Sequence, residues 1–125
     1  MLYVDIRDIC KSYEIYANKI LNDELQKSDN SMAHIVNVYY PQPITILQLA
    51  EAIRDCIVEC TNGSVTPTLE IVDKGLPPIF REEDKSKILV NIAKAKSLLG
   101  IDNLRSPRES LMDIISKRAK EITYQ

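Results

Sequence analysis

The residue of this sequence best suited to chemistry is one arginine within an acidic run, Arg81-Glu82-Glu83-Asp84. A guanidinium carries a planar fork of N–H donors, stays charged at any usable pH and can bind a diphosphate through two bonds at once. The two neighbouring glutamates oppose an anionic ligand. Because its guanidinium nevertheless suits a diphosphate, Arg81 is predicted as a ligand contact. The alternative is a surface arginine paired with its local carboxylates.

Three further side chains could assist such an arginine. Tyr39 and Tyr40 adjoin each other at the end of a predicted strand, where they could form an aromatic platform for a base or a sugar. Simple packing at a strand edge is the alternative for both. Lys74, beside Gly75, could neutralise a phosphate or could be a solvated loop lysine. The candidate substrate-binding residues are thus Arg81, Tyr39, Tyr40 and Lys74.

The sequence does not contain the residues that several other kinds of site require. Gly63, Gly75 and Gly100 are its three glycines and lie far apart, so it has neither a G-x-G-x-x-G turn nor a P-loop. Without closely spaced glycines, the backbone cannot approach a pyrophosphate at a helix N-terminus. With one histidine, His34, neither a hydrolase triad nor a metal site is indicated. We predict no catalytic residue, no metal site and no cofactor bound by this chain.

Composition and charge restrict the partners and the location. A chain of 125 residues with 27% charged residues is typical of one globular domain, and a net charge of −2 offers no basic surface for nucleic acid or a membrane. No apolar run is long enough to span a bilayer, and the N-terminus has no signal-peptide pattern. Cys10, Cys56 and Cys60 fall in predicted helices and are interpreted as small buried hydrophobic residues. A cytoplasmic location is expected.

The elements that must position these residues follow from apolar spacing and from end signals. On the first helix, apolar residues recur at the spacing of three and four that is typical of a buried face. Helices are predicted at about Ile6–Leu25 with Asp5 as its cap, from a capping box at Thr45 to Cys60, at Ile92–Leu99 with Gly100 as its C-terminal cap, and from a capping Ser106 to about Ile122. Short strands are predicted at Leu2–Val4, Ile35–Tyr39, Thr68–Val72 and Ile88–Val90, and loops at Gln26–Met32 and Asp73–Glu83.

This order predicts one domain over residues 1–125, an α/β fold in the form of a mixed lobe of four helices and a few short strands. The strands are too short and too few for a self-standing doubly wound sheet of about five strands. Such a lobe should present a sizeable apolar face, covered by another domain or by a second copy of the chain.

Four segments, in this order along the chain, resemble motifs of one enzyme family. They are Tyr3–Ile9, which is similar to an F/Y-V-H-V-x-D-V segment, Ile35–Val38, Ile46–Ala50 and the stretch from Arg81 to Gly100. The family is the NAD-dependent epimerases and dehydratases, extended short-chain dehydrogenases/reductases that modify sugar nucleotides, such as the UDP-glucose 4-epimerases. The matching part is their C-terminal, substrate-binding lobe.

The last segment carries the most specific match and also the departures. Arg81 and Asp84 match the two ends of the family's R-P-G-D element, whose arginine contacts the diphosphate of the sugar nucleotide. Glu82-Glu83 replace its Pro-Gly pair. Ten residues after Arg81, Asn91 stands where the family has the Asp of an Asp-x-x-Lys-Ala helix start. Asparagine caps a helix as well as aspartate, so this second change is neutral.

The resemblance implies a sugar-nucleotide-binding domain without the N-terminal Rossmann domain that holds NAD in the family. The family's acid–base pair is a Tyr and a Lys four residues apart, and no tyrosine here has a lysine four positions later. The chain, either a shortened piece or a genuinely short gene product, should therefore be inactive alone. Its expected partners are a nucleotide sugar and the missing domain, or further copies in a dimer or larger assembly. The alternative is a non-catalytic interaction domain derived from the same lobe.

Overall fold

The computed structural model describes residues 1–25, 35–77, 81, 83–84 and 91–123. These residues contain four α-helices, which are α1 (Ile6–Leu21), α2 (Ile46–Cys60), α3 (Ala93–Leu99) and α4 (Pro107–Thr123). They contain no strand. The prediction of a mixed α/β lobe is therefore wrong, because the described part of the chain is all-helical.

The predicted strand at Leu2–Val4 lies beside the residues before α2 without forming a ladder. The backbone N–H of Tyr40 donates to the Tyr3 carbonyl at 2.7 Å. Ile44 and Met1 exchange two further hydrogen bonds, from the Ile44 N–H to the Met1 carbonyl at 3.1 Å and from the Met1 amino group to the Ile44 carbonyl at 2.6 Å. The two segments therefore meet at separate points, and the predicted strand at Leu2–Val4 is not a strand in the structure.

The predicted strands at Ile35–Tyr39 and Thr68–Val72 are also not strands in the structure. Within the described residues, no backbone hydrogen bond pairs either segment with a neighbour over its length. Ile35, Ile71 and Val72 are exposed. The strand predicted at Ile88–Val90 and the loop predicted at Gln26–Met32 lie outside the described residues.

The starts of α1, α2 and α4 agree with the sequence-based predictions, whereas α3 begins at Ala93, one residue after the predicted start. Asp5 caps α1, since its Oδ1 accepts the Arg7 backbone N–H at 2.8 Å. At α2 the capping box is complete, with the Gln48 N–H donating to Thr45 Oγ1 and the Thr45 N–H donating to Gln48 Oε1, each at 3.1 Å. These signals involve residues at most three apart, which is why the sequence alone could predict them.

The helix ends agree in part. Gly100 ends α3 with φ +65, a left-handed conformation that glycine adopts without steric cost, and this prediction is confirmed. The first helix is shorter than predicted and ends at Leu21 rather than Leu25. Asp23 there has φ +54, and the Glu24 N–H donates back to the Lys19 carbonyl at 2.9 Å. Aspartate tolerates the left-handed region better than most residues, so the chain turns here.

The helices pack in two pairs, α2 against α4 and α1 against α3. Among the described residues, the buried apolar side chains are few and belong mainly to α2, α3 and the residues flanking α3. They are Cys56, Ile92, Ala95, Leu99 and Ile101. A core this small makes each of its members important for stability.

The apolar stripe of α1 faces outward, which contradicts the prediction that it forms a buried face. Ile6 and Tyr13 are 71% and 73% exposed, and Ile20 is also exposed. The side of α1 that is buried carries Asp8 and Ser12. Apolar periodicity identifies a stripe, but it does not identify what covers the stripe.

The small core leads to a stability prediction. Leu99→Ala removes a buried side chain next to α1 and leaves a cavity, so we expect the free energy of unfolding to fall by about 2–4 kcal/mol. Leu76→Ala, at an exposed position in an irregular segment, should change it by less than about 0.5 kcal/mol. Urea denaturation of both variants measures the difference. Equal small effects would contradict the placement of Leu99 in the core.

Candidate functional site

Arg81 lies on a short turn that its own neighbours close. The Arg81 backbone N–H donates to Asp84 Oδ2, and the Asp84 N–H donates to the Arg81 carbonyl, both at 2.9 Å. The Arg81 side chain is 65% exposed, and its Nη1 lies 3.5 Å from Glu83 Oε1. An exposed ion pair of this length is weak, so the guanidinium can meet an anion from solvent.

Tyr39 and Tyr40 do not form a joint aromatic platform, although both are half-buried. Tyr39 lines a cavity of about 340 Å³ together with Ile9, Tyr13 and Leu99. Tyr40 lines a different cavity, next to the start of α2 and Arg108. The two neighbouring rings therefore open onto separate spaces.

Lys74 is exposed in an irregular segment after α2. The adjacent Gly75 has φ +64, and its N–H donates to Asp73 Oδ1 at 2.8 Å, so a tight local turn presents the lysine. Neither of the two tyrosine-lined cavities includes Lys74 or Arg81 among its described residues. The structure thus gives the four predicted ligand contacts no common cavity.

The best-built polar cluster lies elsewhere, at the start of α1, and sequence reasoning assigned it only a capping role. Asp5 is 6% exposed. In addition to the Arg7 backbone N–H, its carboxylate accepts Arg7 Nε at 2.9 Å, Arg7 Nη2 at 2.7 Å and the Ser110 hydroxyl. The other guanidinium nitrogen of Arg7 donates to Asp113. One arginine therefore joins the cap of α1 to α4.

Asp8 makes a second connection of the same kind and is 5% exposed. Its Oδ2 accepts the Arg105 backbone N–H at 2.7 Å, and its Oδ1 accepts Arg105 Nη1 at 2.5 Å. The spacing of three between Asp5 and Asp8 places both carboxylates on one side of the first helical turn. That spacing, with an arginine between them, is the signal in the sequence that could have indicated this cluster.

Hydrogen bonds from Arg7 lower the pKa of two acids of this cluster, Asp5 and Asp113. Hydrogen bonds from the Arg7 side chain hold the pKa of Asp5 well below its ordinary value of 3.8, against the opposing effect of burial, and the Ser110 hydroxyl adds to the lowering. The same arginine lowers the pKa of Asp113. Carboxylates with depressed pKa values do not exchange protons near neutral pH, so this cluster fastens helices together and is not suited to acid–base catalysis.

The thiols differ in environment, and all three are free. Cys56 is buried, and burial raises the pKa of its thiol, which keeps it protonated. Cys60 is half-buried and Cys10 is exposed, so the prediction of a buried residue is wrong for Cys10, which lies on the outward stripe of α1.

Two kinds of feature are missing from the part of the chain that the structure describes. No three His, Cys, Asp or Glu side chains within it come together in a way that could hold a metal ion. None of its helices is both long enough and apolar enough to cross a membrane.

Comparison with known proteins adds no relative. No family model, no curated protein and no solved structure matches the chain. The likeness to the epimerase/dehydratase lobe therefore remains a prediction from the sequence motifs.

The low pKa of Asp5 has a direct consequence for stability. A carboxylate with a lower pKa in the folded than in the unfolded state contributes stability that is complete above the unfolded value, and this contribution is lost as the pH falls towards the folded value. We expect Asp5→Asn to lower the free energy of unfolding at pH 7 by about 1–3 kcal/mol. Below roughly pH 4, the variant should lose less additional stability than the wild type.

Urea denaturation at a series of pH values measures this difference. Asp102→Asn is the matched control, since Asp102 is an exposed aspartate in the loop after α3. It should follow the wild type at every pH. Parallel losses of stability for the wild type and Asp5→Asn on acidification would contradict the assignment.

Proposed function

We propose that this chain is the sugar-nucleotide-binding part of an NAD-dependent epimerase or dehydratase and has no activity by itself. In this proposal a separate domain holds NAD, which removes a hydride from a sugar carbon and returns it, and this chain binds the nucleotide sugar. A cytoplasmic location belongs to the same proposal.

The observation that supports it most is the closed turn at Arg81. Arg81 and Asp84, the two residues that match the ends of the family's R-P-G-D element, hydrogen-bond to each other in both directions. The turn leaves the guanidinium in solvent, where a diphosphate could accept two N–H donors.

The contacts among the other motif segments give further support. The Tyr3–Ile9 segment receives the Tyr40 N–H at one end and the Arg105 N–H and guanidinium at Asp8. The helix α1, which begins in this segment, also packs against α3, the helix of the fourth motif. The first and the fourth of the segments that resemble the lobe therefore contact each other, and the first also binds Tyr40 and Arg105, which lie just outside the motif segments.

The outward stripe of α1 supports a partner. Ile6, Tyr13 and Ile20 expose apolar surface along one line of the helix, and Cys10 and Ala17 lie between them. A soluble domain is more stable when such a contiguous patch is covered. A cofactor-binding domain, or association into a dimer or larger assembly, would cover it.

The second candidate function is a non-catalytic interaction domain. The ion pair between Arg81 and Glu83 favours it, because a carboxylate that occupies the guanidinium opposes an anionic ligand. The outward stripe is common to both functions, so ligand binding is the property that separates them.

Calorimetric titration of the chain with UDP-glucose, dTDP-glucose and NAD tests the proposal. We expect heat from a sugar nucleotide and none from NAD. Arg81→Ala should weaken the binding roughly tenfold or more, since it removes charge-assisted bonds to the diphosphate. Arg118→Ala is the matched control because Arg118 is a similarly exposed arginine on α4, and it should leave the affinity unchanged.

Each other outcome argues against the proposal in its own way. Binding of NAD would contradict the assignment of the cofactor to a separate domain. A sugar-nucleotide affinity equal in the wild type and in Arg81→Ala would contradict the role of the turn. No response to any ligand would favour the interaction domain.

A further inference from the structure

The turn at Arg81 places a carboxylate next to the guanidinium that the proposed function assigns to the ligand. Two hydrogen bonds between Arg81 and Asp84 close the turn. Glu83 lies within this closed turn, and its Oε1 is 3.5 Å from Arg81 Nη1. The pair therefore joins two residues of one short turn.

We infer that Glu83 competes with the ligand for Arg81 and so sets the affinity of the turn for a diphosphate. The carboxylate of Glu83 occupies a guanidinium donor that the ligand needs, and its negative charge repels the ligand. This inference rests on the proposed function, because the competition has a consequence only if an anion binds Arg81.

Distance and exposure indicate how strong the competition is. The separation of 3.5 Å is longer than the 2.7–2.9 Å of strong charge-assisted bonds, and the two side chains are 65% and 67% exposed. An exposed pair of this kind shifts an equilibrium by roughly twofold to fivefold. A diphosphate, which can bind both arms of the guanidinium, displaces Glu83, so the glutamate weakens binding without preventing it.

The competition should depend on salt. Charges in solvent are screened over about 8–10 Å at ordinary ionic strength, so added salt weakens the pair between Arg81 and Glu83 and also the repulsion between Glu83 and the ligand. The difference in affinity between the wild type and a variant without the Glu83 charge should therefore shrink as salt is added.

The test is calorimetric titration of the full chain with UDP and with inorganic pyrophosphate, at low and at high salt. Glu83→Gln should tighten binding about twofold to fivefold at low salt and less at high salt. Glu121→Gln is the matched control, since Glu121 forms a comparable exposed pair with Arg118 on α4 and its loss changes the net charge equally. It should leave both affinities unchanged.

The double variant Arg81→Ala/Glu83→Gln separates competition from a general charge effect. Competition for Arg81 predicts that the double variant binds no tighter than Arg81→Ala alone. A gain that persists without Arg81, or that Glu121→Gln reproduces, would overturn the inference. Binding that depends on Arg81 but has the same affinity in the wild type and in Glu83→Gln would overturn the inference and leave the proposed function standing. Silence of both the wild type and Glu83→Gln would overturn the proposed function together with the inference.

Discussion

Two buried carboxylates at the start of α1 hold together parts of the chain that are far apart in sequence. Asp8 binds the backbone and side chain of Arg105, 97 residues away, and Asp5 binds the Ser110 hydroxyl, 105 residues away. Burying a polar group is costly unless it is hydrogen-bonded, and each carboxylate receives at least two donors. Among the described residues the buried apolar side chains are few, so the connection between the start of α1 and α4 depends on this polar cluster.

The same cluster explains the unusual surface of α1. A helix turns one side to the interior, and in the described residues Asp8 and Ser12 occupy that side of α1. The apolar residues that recur along the helix, such as Ile6 and Tyr13, are left on the outside. The carboxylate connections and the exposed stripe are thus two results of one orientation. In the proposed function, a partner would cover this stripe.

The candidate ligand site, unlike the cluster at α1, is held together by residues that are close in sequence. The turn from Arg81 to Asp84 is closed by bonds between its own residues, so the exposed guanidinium of Arg81 and the nearby carboxylate of Glu83 are both positioned locally. In the proposed function this turn would tune the affinity for a diphosphate. The chemical step would belong to the domain that binds the cofactor, so affinity and reactivity could change independently.

Helix boundaries that depend on neighbouring residues were predictable from the amino-acid sequence alone. The capping box at Thr45, the capping serine before α4 and the left-handed Gly100 were predictable because each signal acts within a few residues. The shared side of Asp5 and Asp8 was also present in their spacing.

Features that depend on contacts between distant segments could be seen only in the tertiary structure. β-Branched segments such as Thr68–Val72 lack a pairing neighbour among the described residues, so composition alone mispredicted them as strands. Tyr39 and Tyr40 are adjacent in sequence but open onto separate cavities. Which side of α1 is buried was likewise settled by distant partners. Periodicity and composition describe one segment at a time, whereas burial and strand pairing are properties of at least two.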